Sequence, residues 1–514
     1  MADDDSGGAT ATLYFAMAGQ QHATLNHGGA NTGPVLNGDN YYLESFYVTE
    51  NNSSAFFASG NGERVTIYDV NGNAVAICSG GDALCSLGNL DVGSYFAVAD
   101  VELPKINQTS TALLLNPASN PTLQAKTAKA GLDGEQGSRR LESFVVPEDT
   151  QWITFAVSEP GLIATIYDES GLLVAQCNGS NLCIHQHNGS AYYTALVEVA
   201  NKVLFEEDTY ALNMNYAAAG ESTLISGTYV SGPNAVPGSV MSEIIVVPDA
   251  VEYLNLWTYA QAESMFFEQG GNEVFSCARG CFWPAPSADT YFIRMDVTEE
   301  FTDNPLSASI AYAGEQHSTL IEGELKSGIT AKYRDSFVQS FYVPDGIESV
   351  KLHMSDFWGD LAIIDPATGR WLRSCYSDTS PCDPGPLPPG PYFTFSLVDY
   401  VEPIDAVIQV GLTMAYAGTE YTSLAEGELK IANDVHMGDR WLQSFRVTEL
   451  IPMVQIVAST GTLTTIFDVD NAVLTNCEGG AVCTLPAGLT GIFYLSVEVI
   501  DPLLESVSVG YNRF

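Results

Sequence analysis

Apolar and polar residues alternate along this chain in short runs, each broken by glycine, asparagine or proline. Phe46, Val48, Val65, Ile67, Tyr95 and Ala97 lie in such runs, interrupted by Asn71-Gly72-Asn73 and Gly80-Gly81. A period of two with turn residues between predicts β-strands, and helical periodicity is almost absent. The runs then recur. Ser45-Phe46-Tyr47-Val48, Ser143-Phe144-Val145-Val146, Ile244-Ile245-Val246-Val247, Ser340-Phe341-Tyr342-Val343 and Ser444-Phe445-Arg446-Val447 open five copies of one unit. Each is followed by a central strand ending in an acid (Asp69, Asp168, Glu268, Asp365, Asp468) and a late aromatic strand such as Gly93-Ser94-Tyr95-Phe96. A fixed period of roughly 100 residues means one folding unit repeated, so function is sought in the array and its ends.

The cysteines keep the same period: Cys78 with Cys85, Cys177 with Cys183, Cys277 with Cys281, Cys375 with Cys382 and Cys477 with Cys483. Local pairing of every cysteine predicts five disulfides and an oxidising compartment, each staple closing the hairpin after the central strand. Roughly seven or eight strands per copy predict an all-β chain of five tandem antiparallel β-sandwich modules, jelly-roll-like and arranged as a rod. The boundaries read as a flexible acidic N-terminus over 1–9, a donor-type strand over 10–19, and modules over 20–117, 118–219, 220–313, 314–417 and 418–514.

A second motif marks the joins. Tyr216 to Leu224, Tyr312 to Leu320 and Tyr416 to Leu424 each run from a last strand through glycine to Thr-Leu or Ser-Leu, with a weaker version from Leu113 to Leu123. Connections this short restrict hinge motion and predict a stiff array. The same motif stands at the N-terminus, Leu13-Tyr14-Phe15-Ala16-Met17-Ala18-Gly19 through Leu25, with no module in front of it. The chain ends on another version, containing Val507, Val509 and Tyr511. One terminal strand is therefore surplus. It folds back as an extra edge of module 1, docks on module 5 of a second copy near Val507, Val509 and Tyr511, or stays a disordered arm. The second arrangement does not close on itself and predicts a head-to-tail homopolymer.

Composition narrows the partners. With 62 acidic residues against 19 basic ones, the net charge is −43, and no basic stripe exists to neutralise phosphates. Nucleic acid and anionic membrane surfaces are disfavoured, and repulsion keeps copies from clumping side by side. No run is long enough for a membrane-spanning helix. Met1 to Gly8 is acidic and lacks the basic and apolar regions of a signal peptide, so the oxidising signature implies a removed leader or another export route.

Candidate chemistry is sparse. The central-strand acids Asp69, Asp168, Asp365 and Asp468, with the late-strand acids Asp100, Glu198, Asp296, Asp399 and Glu498, would suit Ca²⁺ if they converged, but Asp-x-x-Gly also reads as a plain turn. No cofactor is expected. His185 and His187 share one face of a strand, a two-imidazole metal site or an ordinary loop. The six tryptophans (Trp152, Trp257, Trp283, Trp358, Trp371, Trp441) keep no common register, so they read as packing groups more than as sugar platforms. Glycosylation sequons begin at Asn51, Asn52, Asn107, Asn178 and Asn188, and Pro381 to Pro391 reads as a stiff loop. No catalytic motif appears, and no enzyme is expected.

The Ser-Phe-Tyr-Val opening strand, the Ile-Tyr-Asp-x-x-Gly centre (Ile67 to Gly72) and the Gly-x-Tyr-Phe strand resemble bacterial pre-peptidase C-terminal domains, in five tandem copies over nearly the whole chain. That resemblance implies secreted, non-catalytic β-sandwiches, some of whose relatives bind calcium or collagen. Together these readings predict a structural subunit of an extracellular or cell-surface filament. The alternative is a monomeric secreted adhesin with a matrix or glycan ligand.

Overall fold

The computed structural model describes residues 15–35, 41–50, 54–60, 63–79, 84–101, 108–201, 209–234, 238–258, 262–278, 280–298, 305–355, 359–376, 381–399, 407–449 and 453–513. The acidic segment 1–9, Leu13, Tyr14, Trp358 and the sequon residues Asn51, Asn52 and Asn107 lie outside that set. The described residues form 39 strands in ten antiparallel sheets and no helix.

Each repeat is a two-sheet sandwich. In the first, a front sheet runs in the order Tyr41–Val48, Gly93–Val101, Glu63–Asp69, Ala74–Ser79, and a back sheet in the order Ala30–Val35, Gln108–Leu115, Ala55–Ser59, Cys85–Ser86. Numbered within the repeat, the orders are 2-7-4-5 and 1-8-3-6, the connectivity of a jelly roll. Among the described residues, repeat 4 has no last back-sheet strand and keeps only the bridge Leu352 to Cys382. The prolines of the segment from Pro381 lack the N–H groups that a longer ladder needs.

Local chemistry explains the recurring words. Asp69 ends the central strand because its Oδ1 accepts the N–H of Asn71 (2.9 Å) and of Asn73 (2.8 Å), while Gly72 supplies φ 80°. Repeat 5 makes the same turn on Asp468 with Asn471 at φ 67°, the non-glycine residue type that tolerates this region best. In the Thr-Leu motif, Thr24 and Leu25 both donate backbone N–H to the Ser45 carbonyl at 2.9 Å, which sinks Leu25 into the sandwich. Leu123, Leu224, Leu320 and Leu424 are buried in the same way.

All five cysteine pairs are disulfides. They do not close a hairpin within one sheet. Cys78 belongs to the last front-sheet strand and Cys85 to the last back-sheet strand, so the bond ties the two sheets at one edge. Cys177–Cys183, Cys277–Cys281 and Cys477–Cys483 repeat the arrangement.

Candidate functional site: the joints and the two end faces

Successive sandwiches meet sheet on sheet. The back sheet of each repeat lays its outer face on the front sheet of the next, and each joint has its own apolar cluster. Between repeats 1 and 2 it contains Phe56, Ala58, Ala112, Leu114, Leu141 and Leu196. Between repeats 4 and 5 it contains Ala415, Ala417, Leu442, Phe467 and Tyr494. These side chains alternate along their strands with those of the sandwich cores, so both faces of an internal sheet are covered.

The register of the joints is constant. A polar side chain on the last strand meets the opening strand of the next repeat 29 residues later: Ser110 with Arg139 N–H (2.8 Å), Asn213 with Ser242 N–H (2.9 Å), Ser309 with Val338 N–H (3.0 Å) and Thr413 with Leu442 N–H (3.3 Å). Long polar side chains then cross. Arg294 is fully buried and donates to the carbonyls of Val157 (2.9 Å), Asn181 (2.6 Å) and Gly179 in the preceding repeat, and to Asp296 (2.7 Å) in its own. Arg139 reaches the Ser59 carbonyl (2.7 Å), and Lys351 reaches forward to the Val469 carbonyl (2.8 Å) and the Tyr494 ring. Gln339 and Gln443 donate to the carbonyls of Gly227 (2.8 Å) and Gly323 (2.6 Å), turns of the repeats before them. Glu243 holds the same position in repeat 3, where burial pushes its carboxyl up to about 7 despite hydrogen bonds from Thr223 and Asn215.

The tryptophans belong largely to these joints. Trp152 meets Phe292 edge-on at 5.3 Å, Trp257 and Trp371 flank Phe395, and the Trp441 indole N–H donates to the Gly323 carbonyl (2.9 Å). Trp283 instead stacks on Phe275 inside repeat 3. Irregular register in the sequence reflects four joints that each solve packing differently.

The acids do not converge. Asp69, Asp168, Asp365 and Asp468 each cap their own turn, Glu198 pairs with Arg139 (2.8 Å), Asp296 with Arg294 and Glu498 with Arg440 (3.4 Å). Asp100 faces Arg64 across a strand pair, and Asp399 raises the carboxyl of Asp360, whose burial is the larger cause. His185 and His187 both lie against the Tyr193 ring, with His187 Nδ1 2.8 Å from its hydroxyl. Among the described residues no three His, Cys, Asp or Glu side chains gather as metal ligands. Asn178, the last residue of its strand, and Asn188 are both exposed.

One polar cluster escaped the sequence reading. Ser327 Oγ lies 2.8 Å from His436 Nδ1 and donates to Asp439, whose other oxygen accepts from Ser355 (2.9 Å). Serine and carboxylate sit on the same ring nitrogen, so the imidazole does not stand between them as a base would. The cluster ties repeat 4 to repeat 5. Its members lie on three separate strands and turns, and only the joint unites them.

The N-terminal segment has a defined place. Ser340 Oγ donates to the Tyr312 carbonyl (2.6 Å) and Ser444 Oγ to that of Tyr416, both carbonyls belonging to the strand that enters the module. Ser45 Oγ donates in the same way to the Met17 carbonyl (2.6 Å), again across 28 residues. Phe15 and Met17 thus stand where Ile310 and Tyr312 lie inside the preceding sandwich, yet they are 80% and 53% exposed. Among the described residues, Phe15–Ala18 belong to no strand. Val507, Val509 and Tyr511, expected to meet a partner, instead point into the core of their own sandwich. The period of two puts Ser508, Gly510 and Asn512 on the outer face of that sheet.

No family model matches the chain, and no curated protein matches it in sequence. The resemblance to pre-peptidase C-terminal domains therefore rests on the short strand motifs alone. Among solved structures the chain is similar to a BSP domain of a biofilm-associated protein, at 11% identity over 97% of this chain and 94% of that one, with a TM-score of 0.16. It is also similar to a calcium-binding mutant of Bacteroides uniformis β-glucuronidase 2 (12% identity, 36% of this chain, TM-score 0.13) and to tripeptidyl peptidase 2 (7%, 76%, TM-score 0.14). The chain spans only 27% of the glucuronidase and 32% of the peptidase. At these TM-scores the likenesses carry no argument about function.

Proposed function

We propose that this protein is a structural subunit of an extracellular or cell-surface filament, in which copies join head to tail by strand pairing through Leu13–Ala18. Five sandwiches, each tied by a disulfide and locked to the next by a buried joint, suit a load-bearing rod in an oxidising compartment. The observation that carries the reading is the Ser45–Met17 contact. It sets the segment from Phe15 where a last strand enters a module, while the Phe15 and Met17 side chains are exposed. An apolar, unpaired segment of this kind is a template for pairing with another sheet. The −43 charge opposes side-by-side association and leaves the ends as the points of contact. The reading assigns no reaction to the chain.

Negative-stain imaging of the full chain and of a variant lacking Thr10 to Gly19 tests it. Filaments one module wide are expected from the first and isolated five-module rods from the second. Filaments that persist after the deletion, or none from the intact chain, would overturn the role given to this strand.

A further inference from the structure

The two ends of the array carry sheet faces that every internal repeat covers. On the C-terminal back sheet, Val457 sits opposite Gly510. Its counterparts in the other repeats, Ala58, Ala156, Trp257 and His353, sit opposite Ala112, Asn213, Ser309 and Thr413. The two alanines and Trp257 belong to joint clusters and His353 is buried against Ser496 of the next repeat, whereas Val457 is 46% exposed. Leu429 tells the same story. Its counterparts Tyr229 and Leu325 pack against the core of the following sandwich, and Leu429 is 65% exposed. At the other end, the front sheet of repeat 1 turns outward Tyr41, Leu43, Tyr68, Ile77, Phe96 and Val98. The residues matching Leu43 (Leu141, Val338, Leu442) are fully buried in joints, and Tyr41 is 56% exposed.

We propose that the front face of repeat 1 seats on the back face of repeat 5 of a second copy, reproducing the internal joint at its own register. This rests on the end-to-end reading above and specifies its surfaces. Leu43 then covers Gly510 and Val457, and Tyr42 approaches the Gly427 turn, the counterpart of the Gly323 turn that Trp441 and Gln443 meet. The hollow that receives them, bounded by Gly427, Leu429, Val457, Ser508, Gly510 and Asn512, has a volume of about 310 Å³.

Cysteine cross-linking tests the register. Ser508 and Tyr41 hold the positions of Ser110 and Arg139, whose side-chain oxygen and backbone N–H are 2.8 Å apart. All ten native cysteines are paired, so an introduced thiol is the one free thiol. Full-length Ser508→Cys is mixed with mass-tagged Tyr41→Cys under mild oxidation in about 1 M salt, which screens the charge. Mixed dimers at least tenfold above a Ser508→Cys plus Glu273→Cys control are expected. Mixed dimers no more abundant than the control overturn the face-to-face joint, even where filaments form and the end-to-end reading stands. Mixed dimers together with filaments that survive deletion of Thr10 to Gly19 uphold the joint and remove the strand from it. Leu43→Glu, on a face already open to solvent, is expected to abolish end-to-end association without lowering the melting temperature; undiminished association would count against the joint.

Discussion

The hydroxyl of Ser340 donates to the carbonyl of Tyr312 at 2.6 Å, and through that bond the opening strand of one sandwich grips the closing strand of the one before. Ser340 also pairs with Thr319, whose N–H donates to the Ser340 carbonyl at 3.0 Å and whose hydroxyl accepts the Ser340 N–H at 2.7 Å. One serine thus fixes the end of a strand, the turn that follows and the start of the next module. The same residue type does so at Ser45 and Ser444, which explains why the Ser-Phe opening recurs.

Ser340→Ala should therefore cost more than a surface substitution. It removes the donor of a buried hydrogen bond, a loss of about 1–2 kcal/mol. Calorimetry is expected to show the transition of the third and fourth sandwiches shifted down, with the others unmoved. Ser340→Thr, which keeps the hydroxyl, should recover part of the loss.

Arg294→Ala removes the cation on which the joint between repeats 2 and 3 depends. Three carbonyls lose their donor and Asp296 is left beside a void, so a loss of about 3 kcal/mol or more is expected. Limited proteolysis should then cut first near this joint. Arg294→Lys, with one charged centre instead of a planar fork, should not restore it.

The Glu243 carboxyl gives this same joint a pH dependence. Burial raises its folded value to about 7, above the ordinary carboxylate value of 4.5. Below 4.5 both folded and unfolded chains hold the proton and nothing is lost. As pH rises from there to 7, the unfolded chain releases the proton first, so the folded joint is progressively destabilised and then levels off. Melting curves between pH 5 and pH 8 should show this joint weaker at the higher pH. Glu243→Gln, which installs the residue found at Gln339 and Gln443, should flatten the dependence.

Replacing both Cys177 and Cys183 with serine opens a link of sequence separation 6 between the two sheets. In the chain-entropy view the loss is about 2 kcal/mol, confined to the second sandwich. Hydrogen exchange should rise along Leu173–Asn178 and Cys183–Gln186 and stay unchanged in repeats 4 and 5.

Much of the sandwich was legible because strand chemistry is local. Phe46 and Val48 alternate with Ser45 and Tyr47, and the period of two assigns each to a face whatever the rest of the chain does. Asp69 and Gly72 announce their turn within four residues of each other. The joints were not legible in the same way. Leu141 and Phe144 read as equally apolar, yet one lies between modules and the other inside one. Nothing in the alternation distinguishes a face turned to water from a face turned to another sheet. The constant offset of 29 residues is present in the sequence, but it acquires meaning only once the two strands are known to cross.

By itself, then, the sequence determined the unit: its strands, its turns, its cysteine partners and its repetition, all set by contacts between residues near one another or held in a strict period. Tertiary structure alone decided what those units do to each other. Which faces stack, that the disulfides join sheets and do not close hairpins, that Val509 serves its own core while Val457 looks outward, and that Met17 is held as Tyr312 and Tyr416 are all depend on where separate strands come to rest. Those placements follow from burying both faces of each internal sheet, a condition met only when the whole array has assembled.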